Sequence, residues 1–174
     1  MVRQAICTVC LAGVLLTGCA APRSDSESIA LAGNDDAAAA LEIRAALHEA
    51  GLPVEAASGP TSLFVYRRGM ATLLSPVLQT EGLDRVIGAR SYAPSAGVSG
   101  DELAGLARAL NERLNVASFK LADGALLMEA NLTFLDRLSV PQLLAFLDWL
   151  DQIELAIRRV DAETRLLRLT DSGS

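Results

Sequence analysis

Apolar residues recur at three- and four-residue steps in two long stretches and alternate with polar ones in a third. In the first stretch Leu103, Leu106, Ala107, Leu110 and Leu114 form one stripe, the spacing of an amphipathic helix. Ser99 and Glu102 stand before it as an S-x-x-E capping box, in which side chain and backbone satisfy each other's free donors. In the second, Val140, Leu143, Leu144, Leu147, Leu150, Ile153, Ile157 and Val160 trace a longer stripe. Ser139 and Gln142 supply its box, and Pro141 sits in the first turn, where a missing N–H costs little. Asp148, Asp151, Glu154, Arg158 and Arg159 fall mostly on the other sides of this helix, which has room to extend towards Leu169 while "AETRLLRLTDSGS" frays into a polar end.

The alternating stretch, "SFKLADGALLMEAN", turns at Asp123-Gly124 and predicts a two-residue hairpin. Pairing Ala122 with Ala125 sets Leu121 opposite Leu126 and Phe119 opposite Met128 on one face. Lys120 and Leu127, then Ser118 and Glu129, share the other, and a one-residue slip would destroy that sorting. Upstream, "AAAALEIRAALHEAG" is rich in helix formers from Ala37 and stops at Gly51, with Pro53 beyond. "TSLFVYRRGMATLLS" suggests two short strands around Arg68-Gly69, and "LDRVIGARSYA" a third. The order is helix, about three strands, helix, hairpin, helix. It predicts an α+β fold of two layers, an antiparallel sheet with helices, over residues 37–169. Residues 170–174 read as a disordered polar tail.

The N-terminus has a different logic. Arg3 is the only charge ahead of an uncharged run from Ala5 to Leu16, which small residues follow. That is a secretory signal, too short to span a bilayer. Leu16-Thr17-Gly18-Cys19 resembles the lipobox of bacterial lipoproteins. The resemblance implies cleavage between Gly18 and Cys19, diacylglycerol on the Cys19 sulfur and a further acyl chain on the new amine. Two or more chains anchor stably where one binds marginally. Residues 1–18 are then signal peptide and 19–36 a lipidated flexible tether that includes Asp35 and Asp36. Ala20, rather than an aspartate, follows Cys19, and the same resemblance then implies the inner leaflet of the outer membrane, facing the periplasm.

Cleavage also disposes of Cys7-Thr8-Val9-Cys10, whose C-x-x-C spacing otherwise suggests redox or zinc chemistry. Only Cys19 would remain, blocked by lipid, so the exported domain has no disulfide and no thiolate, and its core must hold it. Residues 19–174 suffice for one domain with a substantial interior. The formal charge is −6, and −7 without Arg3; Lys120 is the only lysine. An acidic domain with scattered arginines lacks the basic stripe that nucleic-acid binding needs. Aromatics, at 4%, are too few for a base- or sugar-stacking surface.

Catalytic signals are sparse. His48 is the sole histidine, so zinc ligation lacks its usual ligand set and no metal or cofactor is implied. Ala93-Pro94-Ser95-Ala96-Gly97 is like a degraded nucleophile elbow, A-x-S-x-G. The histidine precedes the serine in the chain, and the segment reads better as a Pro/Gly/Ser loop. A hydrolase would have to join Ser95 and His48 to some carboxylate. Asp148 and Asp151 read as a charged helix flank. Arg67-Arg68 and Arg158-Arg159 read as salt-bridge partners or contacts to anionic headgroups.

From Leu110 to about Asp161 the chain resembles the YbjN-like family of bacterial sensory-transduction regulators. The matching residues are Leu110-Asn111, Leu114-Asn115, Phe119, Asp123-Gly124, Glu129-Ala130-Asn131-Leu132 and the helix from Ser139. The resemblance implies the α+β fold of type III secretion chaperones, which bind proteins without catalysis, and it carries over no active-site residue. The lipobox departs from relatives that are cytoplasmic. Together these readings predict a lipid-anchored, non-enzymatic interaction or regulatory domain facing the periplasm, with membrane lipid held through Cys19 and a protein as partner. With 51% hydrophobic residues, an exposed apolar patch would serve for docking or as a homodimer contact. The alternatives are the Ser95/His48 hydrolase and a structural envelope lipoprotein.

Overall fold

The computed structural model describes residues 28–31, 33, 35–79, 83–135 and 137–169. The lipobox, with Gly18 and Cys19, lies outside the described residues, as do 1–27 and the 170–174 tail. In chain order the elements are β1 (Ser28–Ile29), α1 (Asp36–Glu49), β2 (Val54–Ala56), β3 (Leu63–Arg67), β4 (Met70–Val77) and β5 (Asp84–Tyr92). There follow α2 (Gly100–Arg113), β6 (Ser118–Ala122), β7 (Ala125–Phe134), β8 (Leu138–Ser139) and α3 (Val140–Asp161). The six-stranded sheet has the order β2-β3-β4-β5-β7-β6 with every pair antiparallel, and β1 pairs with β8 in a separate two-stranded ribbon. This is the α+β architecture that the periodicities predict.

Both capping boxes form. Ser99 Oγ accepts the Glu102 N–H while the Glu102 carboxylate accepts from the Ser99 backbone and hydroxyl, and Ser139 and Gln142 repeat the arrangement. The Ser99 backbone N–H, then its hydroxyl, hold the Glu102 carboxyl below the usual glutamate range. A depressed folded pKa means that the box contributes at neutral pH and fades as pH falls through that depressed value. An NMR titration of Ser99→Ala should show the Glu102 midpoint rising towards the ordinary value.

The hairpin adopts the register read from its pattern, Ala122 with Ala125 through to Ser118 with Glu129. Asp123 and Gly124 both take positive φ, 51° and 75°, as a type I′ turn requires. Leu121 stays 39% exposed at the outer edge of the sheet, beyond full helix cover. The edge itself is blocked at one point. The Asn111 amide, projecting from α2, donates to the Phe119 carbonyl at 2.7 Å and accepts its N–H at 2.9 Å. A side chain thus takes the place of a neighbouring strand, one way of protecting an unpaired edge. Asn111→Ala should cost about 1–2 kcal/mol, the penalty for orphaning such groups. It should also raise self-association on sizing columns.

One hydrophobic cluster joins the buried faces of all three helices to the inward residues of the sheet. Val86, Gly88, Arg90 and Tyr92 of β5 alternate inward, and Leu126, Met128 and Ala130 do so on β7. The other face carries half-buried Phe64, Leu73, Ile87 and Leu127. Gly88 marks the closest approach of helix and sheet. A Cβ there would lie 2.8 Å from Leu150 Cδ1 and 2.9 Å from Phe146 Cε1. Both side chains are held in the core, so Gly88→Ala should destabilise by about 1–3 kcal/mol as overpacking, read by urea unfolding.

The register sorts the ends of the sheet into two poles. At one lie the β3–β4 turn, Tyr92 and the Asp123-Gly124 turn; at the other lie Val77, Asp84 and Phe134. β8 continues from the second pole, so α3 begins there and runs its 22 residues back past Gly88 and Arg90. That is about 33 Å at the α-helical rise. Three sequence readings are corrected at the helix ends. The fold reaches upstream of Ala37, because β1 pairs with β8 and both Ile29 and Leu31 are buried. Asp35 caps α1 by accepting the Ala38 N–H, and Asp36 accepts the Leu78 N–H. The last stretch of the tether reading therefore belongs to the folded unit. α3 ends at Asp161 rather than extending towards Leu169, because Asp161 gathers the following backbone donors onto itself.

Candidate functional site

The site is built where α3 ends. The Arg165 and Thr164 N–H groups donate to the Asp161 carbonyl at 2.7 and 3.0 Å, closing a turn in which Arg165 takes φ 51°. The buried Asp161 carboxylate then accepts the Leu166 N–H at 2.8 Å and the Leu167 N–H at 3.2 Å, with the Thr164 hydroxyl at 3.0 Å. So directed, the chain crosses back to β5's exit. Leu167 bridges to Pro94, the Leu166 carbonyl accepts the Ser95 N–H, and Arg168 donates to Ala93.

Between this crossing strand and α2 lies a groove of about 420 Å³, within the range of binding clefts. Leu106, Ala109, Val160 and Leu166 give it an apolar floor, and Glu102, Arg113, Glu163 and Thr164 a polar rim. Gly105 leaves the middle open, since a Cβ there would meet nothing within 4 Å. Small residues at Gly105 and Ala109, one helical turn apart, make α2 a shallow wall. The groove lies at the Tyr92 pole, away from β1 and β8. A smaller hollow of about 160 Å³ lies between α1 and the β2–β3 connection, next to Leu41 and Pro60.

Elsewhere along α3, a buried ionic cluster holds the helix to the sheet. Arg90 is fully buried, and its guanidinium donates to Thr72 Oγ1 at 2.8 Å, Glu154 at 2.9 Å and Asp151 at 2.5 Å. A longer bond of 3.4 Å reaches the Leu150 carbonyl. Around this trio, Arg158 pairs with Glu154 at 2.7 Å, Arg67 with Asp148 at 2.5 Å, and Arg68 approaches Asp151 at 3.7 Å. The Arg67 hydrogen bond, then its charge, hold the Asp148 carboxyl below its ordinary range. Burial, then the Glu154 charge, push the Tyr92 hydroxyl well above its ordinary range, so it stays protonated at neutral pH. Asp151 and Glu154 are corrected from a solvated flank to buried residues, because the β5 strand turns Arg90 inward against them. Asp151 and Glu154 each take a guanidinium hydrogen bond from Arg90, while Asp151 Oδ2 has no hydrogen-bond partner; the pairing suits them to holding α3 in place. Of the two arginine pairs, Arg67, Arg68 and Arg158 are engaged in this cluster.

Among the described residues no hydrogen bond joins Ser95 to His48, which stand on separate elements. His48 is exposed in the last turn of α1, which leads into β2. Ser95 follows β5, fastened by its N–H to Leu166. With β3 and β4 intervening, the strands they adjoin lie about 14 Å apart at the usual strand spacing. Among the described residues no group of three or more His, Cys, Asp or Glu side chains could hold a metal, and no helix is long and apolar enough to cross a membrane.

No protein-family model matches the chain, and no well-characterised protein matches its sequence. Its fold is similar to that of YbjN from E. coli, a solved crystal structure described as a candidate transcription regulator. The two align with a TM-score of 0.53 and 12% identity over 73% of this chain and 93% of YbjN. That identity carries the fold alone, and the fold is the one the sequence resemblance implies.

Proposed function

We propose that this chain is a lipid-anchored, non-enzymatic adaptor that faces the periplasm and binds a protein partner in the groove between α2 and the strand after α3. The observation that carries the reading is polar placement. The chain leading from Cys19 joins the fold at β1, at the pole opposite the groove. A partner would reach the groove without competing with the anchor. The fold likeness to YbjN, a candidate regulator, supports a regulatory or chaperone-like role. The net charge of −6 argues for protein over nucleic acid as the partner. By the sorting expectation from Ala20, the anchor rests in the inner leaflet of the outer membrane.

The apolar floor and mixed-charge rim suit a short amphipathic segment that inserts one or two apolar side chains between α2 and Leu166. Gly105→Arg tests this. It fills the groove from an exposed helical position with open space, and replacing a helical glycine should leave the domain as stable or up to about 1 kcal/mol more stable. In crosslinked capture from intact envelopes, a partner taken by the wild type should disappear with Gly105→Arg and weaken with Cys19→Ser. Equal capture by all three proteins would refute the reading.

A further inference from the structure

We propose that the pole carrying Leu83 and Leu135 rests on the lipid surface, with the two leucines entering its interfacial layer. The proposal rests on the Cys19 anchoring reading above. Leu135 is 69% exposed, the most exposed large hydrophobic among the described residues, and Leu83 is 50% exposed. They are not scattered. Asp84 and Phe134 form the last pair of the β5–β7 ladder, and Leu83 and Leu135 flank that pair at its open end. Three residues beyond Leu135, Leu138 pairs with Ile29 of β1. Leu135 therefore stands within about 11 Å, the extended reach of three residues, of the place where the anchored chain joins the fold, and Leu83 flanks the same strand pair.

Chain length fixes the orientation. Ser28 lies nine residue steps beyond Cys19, a span of about 30 Å fully extended and about 17 Å as a flexible coil. α3 alone is about 33 Å long, so turning the groove pole to the lipid would need a fully stretched tether. A second copy of the chain is the weaker occupant, since two leucines fall far short of the roughly 1,000 Å² a specific interface buries.

The test uses the acylated protein in phosphatidylethanolamine–phosphatidylglycerol vesicles. Signal cleavage removes Cys7 and Cys10, so an introduced cysteine is the only free thiol. Bimane attached at Leu135→Cys or Leu83→Cys should be quenched by nitroxide-labelled lipid several-fold more than bimane at Leu121→Cys, an exposed leucine at the opposite pole. Equal quenching at the two poles, with Cys19 shown by mass to be acylated, overturns the proposal while leaving the anchor intact. An unmodified Cys19, with protein that washes off the vesicles, overturns anchor and orientation together. A bimane shift at position 135 that follows protein concentration without vesicles assigns the pole to self-association and overturns the lipid contact.

Discussion

Arg90→Ala should destabilise the domain by about 3–5 kcal/mol, the cost of removing one partner from a buried ionic cluster. The mutation takes away the one fully buried counter-charge shared by Asp151 and Glu154, which are 6% exposed, and leaves them only the peripheral Arg158, Arg67 and Arg68. It also orphans the Thr72 hydroxyl. Against the 5–15 kcal/mol that holds a typical domain together, that loss is large. Urea unfolding followed by Trp149 fluorescence should show a much lower midpoint. Burial alone does not make the cluster a net source of stability. Replacing all three members by apolar residues, Arg90→Met with Asp151→Leu and Glu154→Met, should recover most of the loss. Arg67 would keep Asp148. A cost under about 1 kcal/mol for Arg90→Ala would mean that the guanidinium does not carry these charges.

Asp161→Ala should cost about 2–4 kcal/mol, because the Leu166 and Leu167 N–H groups lose their acceptor in a buried setting, at roughly 1–2 kcal/mol each. The damage should be local before it is global. Without the carboxylate, only the backbone bonds to the Asp161 carbonyl offset the positive φ of Arg165, and the crossing strand should detach from Ala93 and Ser95. Amide exchange at Leu166 and Leu167 should accelerate far more than exchange in β5 or β7. Asp161→Asn should recover about half the loss, since one amide oxygen can still accept while the NH₂ opposes a backbone donor. Unchanged exchange in Asp161→Ala would show that the strand is held by Pro94 and Leu167 instead.

The hairpin, both capping boxes and the stripes of α2 and α3 were legible because local rules set them: a D-G turn, a serine three residues before Glu or Gln, and a repeat near 3.6. β1, β2 and β8 were not legible. They are two- or three-residue strands stabilised by partners distant in the chain. Asp35 and Asp36 looked like tether because their cap and their bond to Leu78 depend on where α1 docks. The ionic cluster was half visible. Asp151, Glu154 and Asp161 continue the step pattern of Leu143, Leu147, Leu150 and Ile157, so they lie on the buried stripe rather than beside it. Their partner could not be read from spacing, because Arg90 meets them only when β5 lies under α3. The groove left the faintest trace, Gly105 and Ala109 beside the α2 stripe, since its other wall exists only through the turn at Asp161. Ser95, by contrast, was visible and misleading: its loop is tied down as a structural crossing.

The claim at the centre is that the groove far from the anchor receives the partner. A photo-crosslinking amino acid placed at Ala109, compared in intact cells with one at Leu73 on the open sheet face, tests it most directly. Position 109 should give one reproducible protein adduct that disappears when Gly105→Arg is added, and position 73 none. Adducts from position 73 with none from 109 would contradict it and move the binding surface to the sheet.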